Sequence, residues 1–273
     1  MTEHVLVFDV NETLIDLESL TPHFERTFSD PHVLREWFGQ LVMHSMALTL
    51  SGNYTDFFTL GQGVLRMLAD IHGVTISDDD VQALAEGMRT MPAYPDVEEG
   101  LQRLRGNGYR LVTLTNSPHH QGATPLENAG LAGYFERQFT VGEHRVFKPS
   151  TSLYTHVASA LGVEPGQCTM VASHTWDLLG AQSAGYRGVL ITRPGNAPLT
   201  APGYPSPRSS RQICCSSTTF SRGSGFDGLS DLGAQPVEFR RAPQFLRIDP
   251  GARQVDRKVE RHLSGPTCQH HDA

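Results

Sequence analysis

HVLVFDVNETLIDLES, residues 4–19, begins with an apolar run, Val5-Leu6-Val7-Phe8, that stops at an acid, Asp9. The run reads as a buried strand. Asn11 and Thr13 follow before the apolar pattern resumes. A carboxylate at the end of a central strand must be paired, hydrogen-bonded or put to use, because stranding it away from water is costly.

Downstream, residues 20–91 hold no convincing strand. TPHFERTF starts with Thr21-Pro22, a pair suited to a helix start. PHVLREWFGQLVMHSMALTL places Leu34, Trp37, Phe38, Leu41, Val42 and Ser45 at helical spacing, and Gly52 ends it. TDFFTLGQGVLRMLADIHG repeats the pattern with Phe57, Phe58, Leu65, Leu68 and Ile71 and stops at Gly73. SDDDVQALAEGMRTM has Ser77 as its N-cap, followed by three acids that favour a helix N-terminus. These segments predict a small helical bundle.

From Pro95 the rhythm changes. DVEEGLQRLRGNGY, TPLENAGLAGYF, SLYTHVASALG and WDLLGAQSAG read as helices; RLVTLTNS, RQFTVGEH, CTMVAS and GVLITR read as strands. This alternation predicts an α/β fold: a Rossmann-like, mostly parallel sheet with an inserted α-helical cap domain. The expected bounds are 1–16 and 92–200 for the core and 17–91 for the cap. Ligands of such sheets sit at the carboxyl ends of the strands, near a switch in strand order. Asp9, Thr115-Asn116-Ser117 and Ser173-His174 all follow the apolar part of a predicted strand, so they can converge on one edge. Beyond residue 200 the pattern fails. APGYPSPRSSRQICCSSTTFSRGSGFDG is rich in Ser, Pro, Gly and Arg without periodicity, and 201–273 is expected to be disordered or aberrant. The break is abrupt enough to suggest a frameshifted reading frame.

The 273 residues suffice for one large domain or two modest ones. A formal charge of −7 and the lack of any Lys/Arg-rich run argue against nucleic-acid binding. No apolar stretch approaches a membrane span and no cleaved signal peptide is expected. The cysteines, Cys168, Cys214, Cys215 and Cys268, form neither a metal-ligand pattern nor a disulfide framework, which suits a reducing cytoplasm. His119-His120 and His270-His271 also lack metal-ligand spacing. Lysine is confined to Lys148 and Lys258, against 20 arginines. A lone Lys in the first 200 residues points to a place that needs a compact, tunable ammonium.

Asp9 and Thr13 in DVNET, Thr115-Asn116 in LTN, Lys148 in FKP and Asp177 in SHTWDLLGA stand in the order and settings of the four motifs of the haloacid dehalogenase superfamily. No one motif is specific, but four in order over residues 5–193 are. The chain most resembles the (S)-2-haloacid dehalogenase branch: TNSP is similar to its Ser-Asn-Gly, VFKPSTSLY to its Tyr-Lys-Pro with a later Tyr, and ASHTWDLLGA to its Ser-Asn-Ala-Trp-Asp. The helical insert matches that branch's cap.

The resemblance implies a carboxylate nucleophile, Asp9, that displaces a leaving group to form an ester opened by water. Lys148 would keep Asp9 ionised. Thr13 and Thr115 would fix the carboxylate, and Asp177 would pair with Lys148 or orient water. Asn116, Trp37, Phe38, Tyr154, Ser173 and His174 are the candidate substrate contacts. The small-molecule substrate would be a 2-haloacid, and a homodimer is one expectation from the branch. Superfamily phosphatases carry a second Asp two residues after the nucleophile and two acids in the fourth motif to arrange Mg²⁺. Here those positions hold Asn11 and, before Asp177, Ser173. A hard dication favours several anionic oxygens, so metal-free, cofactor-free dehalogenation is expected ahead of Mg-dependent phosphomonoester hydrolysis or a catalytically impaired homologue. One departure concerns charge: the branch's cap Trp-Arg pair corresponds to Trp37-Phe38, leaving His174 or Arg35 to supply the missing cation.

Overall fold

A computed structural model describes residues 4–118, 123–205 and 213–214. In chain order the elements are β1 (Val5–Phe8), α1 (Thr21–Phe28), α2 (Val33–Leu50), α3 (Phe57–His72), α4 (Asp78–Thr90), α5 (Val97–Gly106), β2 (Arg110–Thr115), α6 (Pro125–Asn128), β3 (Arg137–Thr140), α7 (Thr151–Leu161), β4 (Cys168–Ala172), α8 (Thr175–Ser183), β5 (Arg187–Thr192) and β6 (Ile213–Cys214).

The strands form one sheet in the order β3-β2-β1-β4-β5-β6, with every pairing parallel. Parallel neighbours require crossovers, which explains the alternation with helices. β1 is central: Val5 pairs with Arg110 on one side and Cys168 on the other. Strand order reverses there, so β1 is the switch point, and its carboxyl end is where a ligand site is expected. Val5, Val7 and Phe8 are buried, as are Leu111, Val112 and Leu114 of β2 and Met170, Val171 and Ala172 of β4. The sheet is therefore buried on both faces.

Helices α1–α4 lie between β1 and β2. The two chain crossings that join them to the sheet run side by side: Asp16 N–H donates to Pro92 O at 2.8 Å and Tyr94 N–H to Leu14 O at 3.0 Å. Leu34, Trp37, Phe38, Leu41, Val42 and Ser45 all face inward on α2, as their spacing predicts. Asp56 caps α3, accepting from Phe58 and Thr59 N–H, and left-handed Gly73 ends it. Ser77 and Asp80 form a reciprocal capping box on α4, satisfying two backbone donors that helix starts leave free.

Two expectations change. TPLENAGLAGYF is no continuous helix: α6 is one turn that Gly130, at φ 72°, breaks before a short 3₁₀ turn at Ala132–Tyr134. The expected disorder of 201–273 does not hold at Ile213–Cys214, which add a parallel strand beside Ile191–Thr192; nearly all the rest of that tail, and the paired histidines His119-His120 and His270-His271, lie outside the described residues. Among the described residues no helix is long and apolar enough to cross a membrane.

Candidate active site

Asp9 is the first residue past β1, and its N–H donates to Val171 O at 3.0 Å, continuing the ladder toward β4. Its carboxylate therefore projects from the switch point. Lys148 Nζ reaches Asp9 Oδ1 at 2.7 Å, Asp177 Oδ2 at 2.6 Å and Leu114 O at 3.0 Å, so each of its three N–H bonds has an acceptor. Thr13 Oγ donates to Asp9 Oδ2 at 2.7 Å and accepts from Ser173 N–H at 3.0 Å. Tyr154 OH donates to Asp177 Oδ1. Every carboxylate oxygen of Asp9 and Asp177 thus receives a proton donor from the protein.

All of these groups are buried. Burial alone would raise the Asp9 carboxyl, but the Lys148 ammonium and His174 outweigh it and hold the group well below the usual carboxylate range. Burial would lower Lys148, yet Asp177 and Asp9 push it up. Asp177 is raised, first by burial and also by Asp9, against the opposing pull of Lys148. The arrangement keeps an anionic oxygen at the sheet edge, fixed in orientation and charge.

Other predicted residues fall into place less uniformly. Asn116 Oδ1 accepts from Lys148 N–H at 3.0 Å, so it supports the lysine's loop. Ser173 is buried against Thr13. His174 stands beside Asp9, with Nδ1 3.6 Å from Asp9 Oδ2. Phe38, from α2, covers this imidazole at a ring-centroid distance of 5.7 Å, and Trp176 stacks on it at 5.0 Å.

Three assignments are corrected. Thr115 Oγ accepts from Ser117 N–H at 3.1 Å, so its hydroxyl serves the turn after β2 and not the carboxylate. Trp37 is no substrate wall: it is 0% exposed, donates to Gly61 O at 2.8 Å and packs on Phe24 and Phe38 inside the helical bundle. Tyr154 is also fully buried, and its hydroxyl acts on Asp177.

Glu12 was missed. It is buried, its backbone is left-handed at φ 61°, and its Oε2 lies 2.7 Å from His174 Nε2. Its other oxygen binds Arg35 from α2, which also binds Glu18 and donates to Pro194 O at 2.8 Å. Arg35 is therefore occupied, which leaves His174 as the substitute cation: burial would lower its imidazole, but Asp9 and Glu12 raise it to about 9. Arg193 was missed as well. Its guanidinium donates twice to Thr13 O, at 3.1 and 2.8 Å, and lies 4.0 Å from the Tyr94 ring centroid, pinning the loop that carries Thr13. Both residues had a sequence signal too weak to read: an acid among polar turn residues, and one arginine among many.

The donor set around Asp9 is dominated by protein-held groups. The ammonium of Lys148 already bridges the two carboxylates, Asn11 turns its amide N–H toward Ser117 Oγ at 3.2 Å, and among the described residues no group of three or more His, Cys, Asp or Glu could hold a metal ion.

Comparison with known proteins agrees with this geometry. The family described as haloacid dehalogenase-like hydrolase matches residues 4–185. The chain is 27% identical over 194 residues to (S)-2-haloacid dehalogenase 4A of Burkholderia cepacia, covering 70% of this chain and 84% of that one. It is 26% identical over 196 residues to haloacetate dehalogenase H-2 of Moraxella sp. (strain B), covering 70% and 87%. Among solved structures, L-2-haloacid dehalogenase from Xanthobacter autotrophicus with chloropropionic acid covalently bound superposes with a TM-score of 0.65 at 25% identity, over 69% of this chain and 77% of that one. With the family matched from β1 through α8, including the helical insert and all four motifs, the chain belongs to the haloacid dehalogenase-like hydrolases.

Proposed function

We propose that the protein hydrolyses the carbon–halogen bond of small 2-haloacids through an aspartyl ester on Asp9, without a metal or other cofactor. An Asp9 oxygen attacks the halogen-bearing carbon, the carbon–halogen bond breaks, and the halide departs with its electron pair. Water then adds to the Asp9 carboxyl carbon and releases the hydroxy acid. Lys148 and Thr13 hold the nucleophile ionised and aimed, Asp177 and Tyr154 hold Lys148 in place, and the His174 cation faces the anionic substrate. Phe38 and Trp176 flank that cation and limit water around it.

The observation that carries this reading is Lys148 Nζ within 2.7 Å of Asp9 and 2.6 Å of Asp177, with every carboxylate oxygen already taken by a protein donor. That arrangement favours an ionised nucleophile over a metal-held one. Relatives named for haloacid and haloacetate dehalogenation, and a structural neighbour with chloropropionic acid covalently bound, support the same chemistry.

The test is a panel of 2-haloacids and phosphomonoesters assayed for halide and phosphate, with and without Mg²⁺. Halide release indifferent to Mg²⁺ is expected. Mg-dependent phosphate release without halide would replace this reading with phosphomonoester hydrolysis. In a single turnover in heavy-oxygen water, the label enters Asp9 first, because water attacks the enzyme's own carboxyl carbon.

A further inference from the structure

Ester hydrolysis needs a group that takes a proton from water, and the groups around Asp9 that the mechanism uses are poorly placed to do so. Both Asp177 oxygens are engaged, by Lys148 and Tyr154, and Thr13 is held between Asp9 and Ser173. The remaining titratable side chain beside the nucleophile is His174. Its Nδ1 lies 3.6 Å from Asp9 Oδ2 and 3.4 Å from Ser173 Oγ, while its Nε2 meets Glu12 at 2.7 Å. Carboxylate, imidazole and nucleophile thus stand in a line, with the carboxylate anchored at its far oxygen by Arg35. Glu12 is buried and left-handed. A buried acid in a backbone conformation unfavourable to its side chain is the kind of feature that surrounding structure retains at functional sites.

We propose that His174 carries the proton during hydrolysis of the Asp9 ester, and that Glu12 is the positioning residue that fixes its orientation and charge. This rests on the Asp9 ester proposed above. While Asp9 is an anion, the imidazole lies between two carboxylates and is protonated. Esterification removes the Asp9 charge, so the ring's hold on the Nδ1 proton weakens and that proton passes to solvent. Neutral His174 then takes a proton from water as the water oxygen bonds to the Asp9 carboxyl carbon. When the tetrahedral intermediate collapses, the bond to the product oxygen breaks, and the imidazolium returns its proton to the departing alkoxide. The new Asp9 carboxylic acid passes its proton to His174, which restores the starting anion and cation. Overall, one water is consumed and one hydroxy acid, one halide and one proton appear.

The groups facing this ring are Asp9 and Glu12 from the loop after β1, with Lys148 acting through Asp9 and Arg35 through Glu12. Asp177 lies on α8, the helix that His174 caps, behind Lys148. Phe38 and Trp176 supply uncharged walls. The charge that changes during turnover is therefore that of Asp9, the group whose ester needs the base.

The test is a single turnover with 2-chloropropionate, following halide and the Asp9 adduct by intact-protein mass spectrometry, in the full-length protein and in His174→Gln and Glu12→Gln. In His174→Gln, halide appears as one equivalent per enzyme and the adduct persists, hydrolysing at least about 100-fold more slowly. Because neutral His174 is the base, the wild-type hydrolysis rate rises with pH. Glu12→Gln removes a charge that favours the imidazolium, so this rising limb moves to lower pH, a shift that a purely structural role would not produce. His174→Gln leaves the Glu12–Arg35 pair in place and decides the matter if Glu12→Gln does not fold. Adduct turnover in His174→Gln within a few-fold of wild type would overturn the proposal, as would a pH limb unmoved in folded Glu12→Gln. If wild type releases halide without ever forming an Asp9 adduct, the ester reading itself fails first.

Discussion

Two acid–cation–acid clusters lie on either side of the DVNET loop, and they behave differently. In one, Lys148 joins Asp9 and Asp177 with side-chain exposures of 1%, 6% and 0%. In the other, Arg35 joins Glu12 and Glu18, and its own side chain is 29% exposed and that of Glu18 is 37% exposed. The first sits at the carboxyl end of the sheet, where water is excluded and a charge interacts strongly with its neighbours. The second bridges α2 to the loop after β1 and to the backbone at Pro194, at the boundary with solvent. Lysine suits the first because three N–H bonds on one compact atom match three converging acceptors. Arginine suits the second because a wide, forked cation can span acceptors from three segments. Similar ingredients therefore make a reactive centre in one place and a clasp in the other, and burial decides which.

The largest effect expected from breaking this contrast is chemical. Asp9→Asn should lower halide release by about 10³-fold or more, measured by ion chromatography, while leaving the fold intact. Lys148→Met should abolish turnover as well and also cost about 3–5 kcal/mol in urea unfolding, because two buried carboxylates lose their shared partner. A mutant as stable as wild type would show that the buried cluster does not depend on the ammonium. Stability should also depend on pH in opposite senses for His174 and Asp9. His174 is raised from 6.5 to about 9, so its contribution is complete below 6.5 and fades as pH climbs through about 9. Asp9 is depressed below its ordinary 3.8, so its contribution is present above that value and disappears only under stronger acid. Urea midpoints measured across pH should fall on the alkaline side in wild type and flatten there in His174→Gln.

The clasp should yield smaller numbers. Arg35→Lys keeps a cation but loses the fork, and should cost about 1 kcal/mol and less than about tenfold in kcat. Glu18→Gln, at the exposed end, should shift stability by no more than about 0.5 kcal/mol. A loss several times larger in differential calorimetry would mean that the outer cluster is as cooperative as the inner one.

Much of this architecture was legible in the residues. Valine-rich runs separated by helical patterns specify a parallel sheet because both its faces are buried, and the 3.6-residue spacing along α2 identified its inward face residue by residue. Asp9, Lys148 and Asp177 could be found because motif order survives the divergence around it. Glu12 could not, since an acid in a polar turn looks the same in sequence whether it is solvated or sealed beneath a histidine and an arginine. Trp37 and Tyr154 were assigned to the pocket because large aromatics line cores and sites alike; only their hydrogen-bond partners, Gly61 O and Asp177, separate the two. The loss of the cap arginine at Phe38 was visible, and His174 and Arg35 were both legible as replacements; only the structure separates them, because Arg35 is taken by Glu12 and Glu18.

The Arg35 guanidinium rests against Gly195, whose backbone is left-handed at φ 79° and where an added Cβ would come within 2.5 Å of the arginine's terminal atoms. Position 195 is remote from the reacting atoms, yet even a methyl group there strains the chain and pushes Arg35 off its carboxylates. The residue with no side chain thereby sets how firmly α2 is tied to the loop after β1 and to the backbone at Pro194. Substituting it offers a way to trade faster exit of the hydroxy acid for leakier exclusion of water, with none of the catalytic groups altered.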